Sequence, residues 1–78
     1  MDKSKIETRL SEGSESTVLS TPFTTLMLRN MAKAALRGNT KLTIIVGDNL
    51  TDWDVDSIKA EAPNNVAFDY SRCNFPKP

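Results

Sequence analysis

An apolar pattern recurs at a fixed interval in this chain. Leu42, Ile44, Val46 and Asn49 are followed 24 residues later by Val66, Phe68, Tyr70 and Cys73. Met31 and Ala34 map onto Val55 and Ile58 at the same shift. Self-similarity at such a period marks folds made of equivalent supersecondary units, none of which can bury its apolar face alone. The recurrence therefore points to neighbouring units that share one core, and it disfavours a plan in which every element is unique.

The elements within the repeat follow from local chemistry. Residues 41–47 read as a strand, with Leu42, Ile44 and Val46 alternating to one face and Ile45 making the centre apolar on the other. A strand apolar on both sides calls for cover on both. Residues 51–62 read as a helix. Thr51 caps it, Asp54 closes a shortened capping box, and Asp52 and Asp54 favour the positive end of the helix dipole. Val55, Ile58 and Ala62 form its buried stripe, Pro63 ends it, and 66–70 alternate as a further strand. Upstream, 21–37 read as a helix with Ser20 or Thr21 as cap and Pro22 at the first helical position. Leu28, Met31, Ala32 and Ala35 make its apolar stripe. Gly38 ends it, as glycine takes the left-handed conformation readily. Residues 17–20 suit a short strand. Ile6 and Leu10 allow a helical turn or two, but the Ser-, Glu- and Gly-rich composition assigns 1–16 to a flexible polar segment, leaving 17–78 as a single small α/β domain.

At this point the residues resemble a known pattern. Phe68-x-Tyr70-x-x-Cys73-x-Phe75 is similar to the core of the leucine-rich repeat, and Ile44-x-Val46-x-x-Asn49 matches its first part. Residues 50–64 resemble the helical side of the cysteine-containing, ribonuclease-inhibitor-like type. The resemblance covers about residues 26–75. It implies parallel strands stacked into one sheet, with the Asn or Cys position bonding to loop backbone. Only two such units are visible, whereas a stable stack needs about three. Either another chain completes the stack, or the fold is a compact α/β sandwich that only imitates the repeat; the order of elements gives an α/β class, a small αβαβ unit with a parallel sheet of two or three strands.

Composition narrows the function. At 78 residues the chain buries only about 60% of its unfolded surface. One cysteine and no histidine exclude an internal disulfide, histidine-dependent catalysis and a conventional zinc site. A chain this short seldom builds a deep pocket. Asp48 and Asp69, at predicted strand ends, would be the residues of a minimal enzyme, but the reading is non-enzymatic, with no cofactor, no metal and no small-molecule substrate. No apolar run is long enough to span a membrane, and there is no secretory h-region or lipidation motif. A single reduced cysteine fits a cytoplasmic chain.

Asp52, Asp54 and Asp56 alternate as in a calcium loop, but Ser57 and Pro63 replace the Gly and Glu such a loop requires, so capping and solvation account for them. Charge is separated along the chain. Residues 21–41 carry Arg29, Lys33, Arg37 and Lys41 with no acid; residues 42–70 carry six acids against Lys59. The net charge of zero argues against a general polyanion binder. Trp53 lies off the apolar stripe, beside acids, where it would either anchor an interface or pack against the strand–helix corner. The expected function is a small protein-interaction module, an inhibitor or adaptor, with Asp48, Trp53, Asp54, Asp56, Asp69 and Arg72 contacting a protein partner. Self-association is expected as well. The alternatives are a subunit of a larger repeat-type assembly and an acidic nucleic-acid mimic that blocks a nucleic-acid-binding protein.

Overall fold

In the computed structural model, which describes residues 3–71, the chain alternates helix and strand. The order is α1 (Lys3–Ser11), β1 (Ser16–Leu19), α2 (Thr25–Arg37), β2 (Leu42–Ile45), α3 (Asp52–Glu61) and β3 (Val66–Asp69). The strands form one parallel sheet in the order β1-β2-β3. The fold is α/β and repeat-like. Each unit is a helix followed by a strand, and in each the strand begins five residues after the last helical residue: Ser11 to Ser16, Arg37 to Leu42, Glu61 to Val66. The register is continuous across units, with Val18 opposite Ile44 and Ile44 opposite Phe68.

The helices lie on one face of the sheet. Val18, Leu42, Ile44 and Val66 share a core with Ile6 and Leu10 of α1, Leu28, Met31, Ala32, Ala34 and Ala35 of α2, and Ile58 and Ala62 at the end of α3. Phe23, Leu50 and Phe68 pack at its border. Side chains alternate across a strand, so the opposite face carries Thr17, Leu19, Thr43, Ile45, Ala67 and Asp69. The helices cover one side of Ile45's strand and leave the other half-buried, with Leu19 exposed beside it.

Several boundaries differ from the sequence reading. The segment 1–16 was expected to be flexible and polar, yet residues 3–11 form a helix. The reason is the pair Ile6 and Leu10, four apart, which are both buried against the rest of the core. Two apolar side chains on one helical face outweigh the polar composition around them. The second helix begins at Thr25, not at 21. Residues 20–23 form a turn closed by Phe23 N–H donating to the Ser20 carbonyl at 2.9 Å, and Pro22 lies in it after a cis peptide bond. Thr24 caps the helix instead, its hydroxyl accepting from the Met27 amide at 3.2 Å. At the other end of α2 the left-handed residue is Asn39 (φ 51°), while Gly38 has ordinary helical geometry. Cys73 and Phe75 of the repeat pattern lie outside the described residues.

Gly38 is there for proximity. A Cβ built on it would stand 1.8 Å from the Leu10 carbonyl oxygen and 2.9 Å from the Gly13 amide nitrogen. The end of α2 thus passes directly over the end of α1, and the obstacle is backbone, which cannot rotate away. Gly38→Ala is expected to lower the free energy of unfolding by about 1–3 kcal/mol, the usual cost of overpacking. Urea unfolding followed by circular dichroism, with an unchanged slope, checks it.

Candidate functional site

The C-terminal ends of the strands and the N-terminal ends of α2 and α3 share one rim of the molecule, because each strand enters the next helix through a short loop. That rim is held by a polar network around Ser20, a fully buried polar residue. Its hydroxyl donates to Asn49 Oδ1 at 2.6 Å and accepts from the Gly47 amide at 2.7 Å. Asn49 Nδ2 donates to the carbonyls of Ser20 and Phe23, both at 3.1 Å. One side chain thereby ties the loop after β2 to the loop after β1. At the opposite rim Asn65 Nδ2 donates to the Thr40 carbonyl at 2.8 Å and links the second and third units in the same manner.

From this rim α3 starts with the capping box expected from Thr51 and Asp54. The Asp54 amide donates to Thr51 Oγ1 at 3.2 Å, and the Asp54 carboxylate accepts from both the amide and the hydroxyl of Thr51 at 3.0 Å. These bonds, the backbone one foremost, hold the Asp54 carboxyl below its ordinary value of 3.8, and a further bond from Thr25 at the head of α2 adds to them. Farther along the helices, Arg29 Nε and Nη2 donate to Glu61 Oε2 at 2.8 and 2.6 Å. At this exposure the pair contributes about 0.2–1 kcal/mol and mainly fixes α2 beside α3.

The six expected contact residues are therefore not equivalent. Trp53 is 79% exposed, and Asp56 is exposed on the same helix. Asp48 is exposed in the loop after β2, on the same rim as the start of α3. Asp54 is spent on the cap. Asp69 lies on the open face of the sheet at the end of β3, with its carboxylate accepting the Ser71 amide at 2.8 Å. Arg72 lies outside the described residues. Among the described residues no three His, Cys, Asp or Glu side chains are gathered as metal ligands, and no helix is long and apolar enough to cross a membrane.

Leu26 belongs with this group, and the sequence reading missed it. It is 63% exposed in the first turn of α2. Helices α2 and α3 are neighbours, joined by Arg29 and Glu61, so two large apolar side chains stand at the heads of adjacent helices. The signal was present: Leu26 falls outside the Leu28, Met31, Ala32 and Ala35 stripe, as Trp53 falls outside the Ile58 and Ala62 stripe.

No family model, curated protein or solved structure matches the chain. The site thus rests on its own geometry: an exposed aromatic and an exposed leucine on a rim stiffened by Asn49 and by the Thr51–Asp54 box.

Two outcomes follow. Asn49→Ala leaves the Ser20 hydroxyl and two loop carbonyls to find other partners and is expected to destabilise by about 1–3 kcal/mol. Combined with Ser20→Ala it should cost less than the sum, since both act in one network; equilibrium unfolding of the single and double variants measures this. For Asp54 the folded-state value lies below the unfolded one. Its contribution to stability is present above 3.8 and lost as pH falls through the lower folded value. Asp54→Asn should flatten this part of the acid limb of stability against pH, which thermal melts across the acid range will show.

Proposed function

We propose that this chain is a small non-enzymatic protein-interaction module, an inhibitor or adaptor, whose contact surface is the outer side of the α2 and α3 heads. The observation that carries the reading is the exposure of Trp53, at 79%, next to the helix that exposes Leu26 at 63%. Burying such side chains on folding would have stabilised the chain by about 1.5–3 kcal/mol each. They stand in solvent on a rim that the Ser20–Asn49 network and the capping box make rigid. Tryptophan in a rigid setting is the commonest kind of interface anchor. Asp48, Asp52 and Asp56 surround it with negative charge, which raises association rates with a basic partner and makes them fall with salt.

The resemblance to leucine-rich repeats supports an interaction role of the same kind. The position occupied by Asn49 is the one that the resemblance assigns to loop-backbone bonding, and Asn49 bonds to two loop carbonyls. The polar rim of acids is not a continuous phosphate-like row, because Asp54 caps its helix and Glu61 pairs with Arg29. That favours a protein surface with an apolar anchor over nucleic-acid mimicry.

Trp53→Ala and Leu26→Ser are expected to change stability by no more than about 0.5 kcal/mol, as surface substitutions do. The same changes should abolish capture of a partner that the unaltered chain retains at low salt and releases at high salt. A partner held equally by the doubly substituted, folded chain would remove this surface from consideration.

A further inference from the structure

The two ends of the stack differ in charge and agree in geometry. At one end is β1, an edge strand. Ser16 and Ser20 direct their amides to β2, donating to the Lys41 and Ile45 carbonyls. Parallel ladders alternate, so the backbone groups of Thr17 and Leu19 point away from the sheet. A groove of about 450 Å³ runs along this edge, with Ile6, Arg9, Thr17, Leu19, Pro22 and Phe23 among its walls. Lys5, one turn before Arg9, is exposed on the same flank of α1, and Glu15 lies at the foot of the groove. Such an edge is a template for another strand.

At the other end is β3, and among the described residues no strand lies beyond it. Glu61, paired with Arg29, marks the side of α3 that meets α2. Helical spacing then places Asp52, Val55, Asp56 and Lys59, at i, i+3, i+4 and i+7, on the side away from α2. This flank carries the acid pair Asp52 and Asp56 with one base; the α1 flank carries the basic pair Lys5 and Arg9, with Glu12 at its end and Glu15 at the foot of the groove, so the two pairs are opposite in sign. The four-residue helix-to-strand connection is common to all three units, so the first unit of another copy has the dimensions of a fourth unit of this one.

We propose that the chain associates head to tail with a second copy. The β1 edge and the Lys5–Arg9 flank of one molecule seat beside the β3 edge and the Asp52–Asp56 flank of the next, where a fourth unit would lie. The contact continues the parallel sheet and joins opposite charges. It is heterologous, so it does not close at two and adds copies in a row. It leaves Trp53 and Leu26 on the outer side of the helices but shares Asp52 and Asp56 with the partner surface described above; Trp53→Ala distinguishes the two, since it should weaken partner capture and leave self-association unchanged.

Sedimentation velocity across protein and salt concentration tests this. The average mass should rise with concentration and fall with added salt. Lys5→Glu/Arg9→Glu and Asp52→Lys/Asp56→Lys chains, checked for folding by circular dichroism, should each remain monomeric. Mixed, they should associate again in alternating rows, because the two native flanks complement each other and so do the two reversed flanks. A chain with all four reversals should associate again. Thr17→Pro removes an outward amide while sparing the β1–β2 ladder, and it should weaken association about tenfold. A wild-type chain that stays monomeric at every concentration would overturn the proposal. So would reversed chains that associate as the wild type does, or an assembly that stops at a symmetric dimer and ignores mixing.

Discussion

Each helix–strand unit of this protein is too thin to bury its own apolar face, and the fold is the arrangement that removes this deficit by sharing. Ile6 and Leu10 have no cover without α2; Val18 and Val66 have none without β2 and the helices above it. Burial in a common core places α1, α2 and α3 on one side of the sheet, and the parallel order follows because every strand is reached through a helix. The close passage of Gly38 over the Leu10 carbonyl is the geometric expression of the same need, since only a bare Cα lets α2 approach α1 so nearly.

Polar side chains then decide how the units are aligned. Asn49 and Asn65 each reach from one unit to backbone carbonyls of the unit before. They do at two opposite rims what the hydrophobic core, which is non-directional, cannot do: they select one register. Arg29 and Glu61 add a directional link between α2 and α3. The charge separation along the sequence thus divides into parts with different uses. Arg29, Glu61 and Asp54 are absorbed by the fold, while Asp48, Asp52, Asp56, Lys33 and Arg37 remain at the surface.

What could be read in advance was what is encoded locally. The Thr51–Asp54 box, the alternation over residues 42–46, the third strand and the parallel order were legible because neighbouring residues dictate them. The start of α2 was not. Ser20 and Thr21 are sound caps on their own, but the Ser20 and Phe23 carbonyls are claimed by Asn49, up to 29 residues away in sequence, and no local rule anticipates that. The helix at residues 3–11 was obscured by its composition, since two buried residues are a faint signal among serines and glutamates. Gly38 was recognised as a stop for the helix, whereas its reason is tertiary. At the candidate site Trp53 was legible as an apolar residue off its stripe. Leu26 carried the same mark and was hidden by the assumption that the helix began one turn earlier.

The middle unit has a distinction that its neighbours lack. Strand β2 is bonded on both sides and α2 is flanked on both sides, while each outer unit has one neighbour among the described residues. In a chain of nearest-neighbour couplings, order is lost from the ends inward. Opening of α1 with β1, or of α3 with β3, exposes a fresh edge of β2 without dissolving the whole. The amides of β2 are then the last to exchange with solvent, and the partly opened forms carry a native strand with a vacant side. The stack is thus graded in cooperativity, rigid at its centre and labile toward both ends.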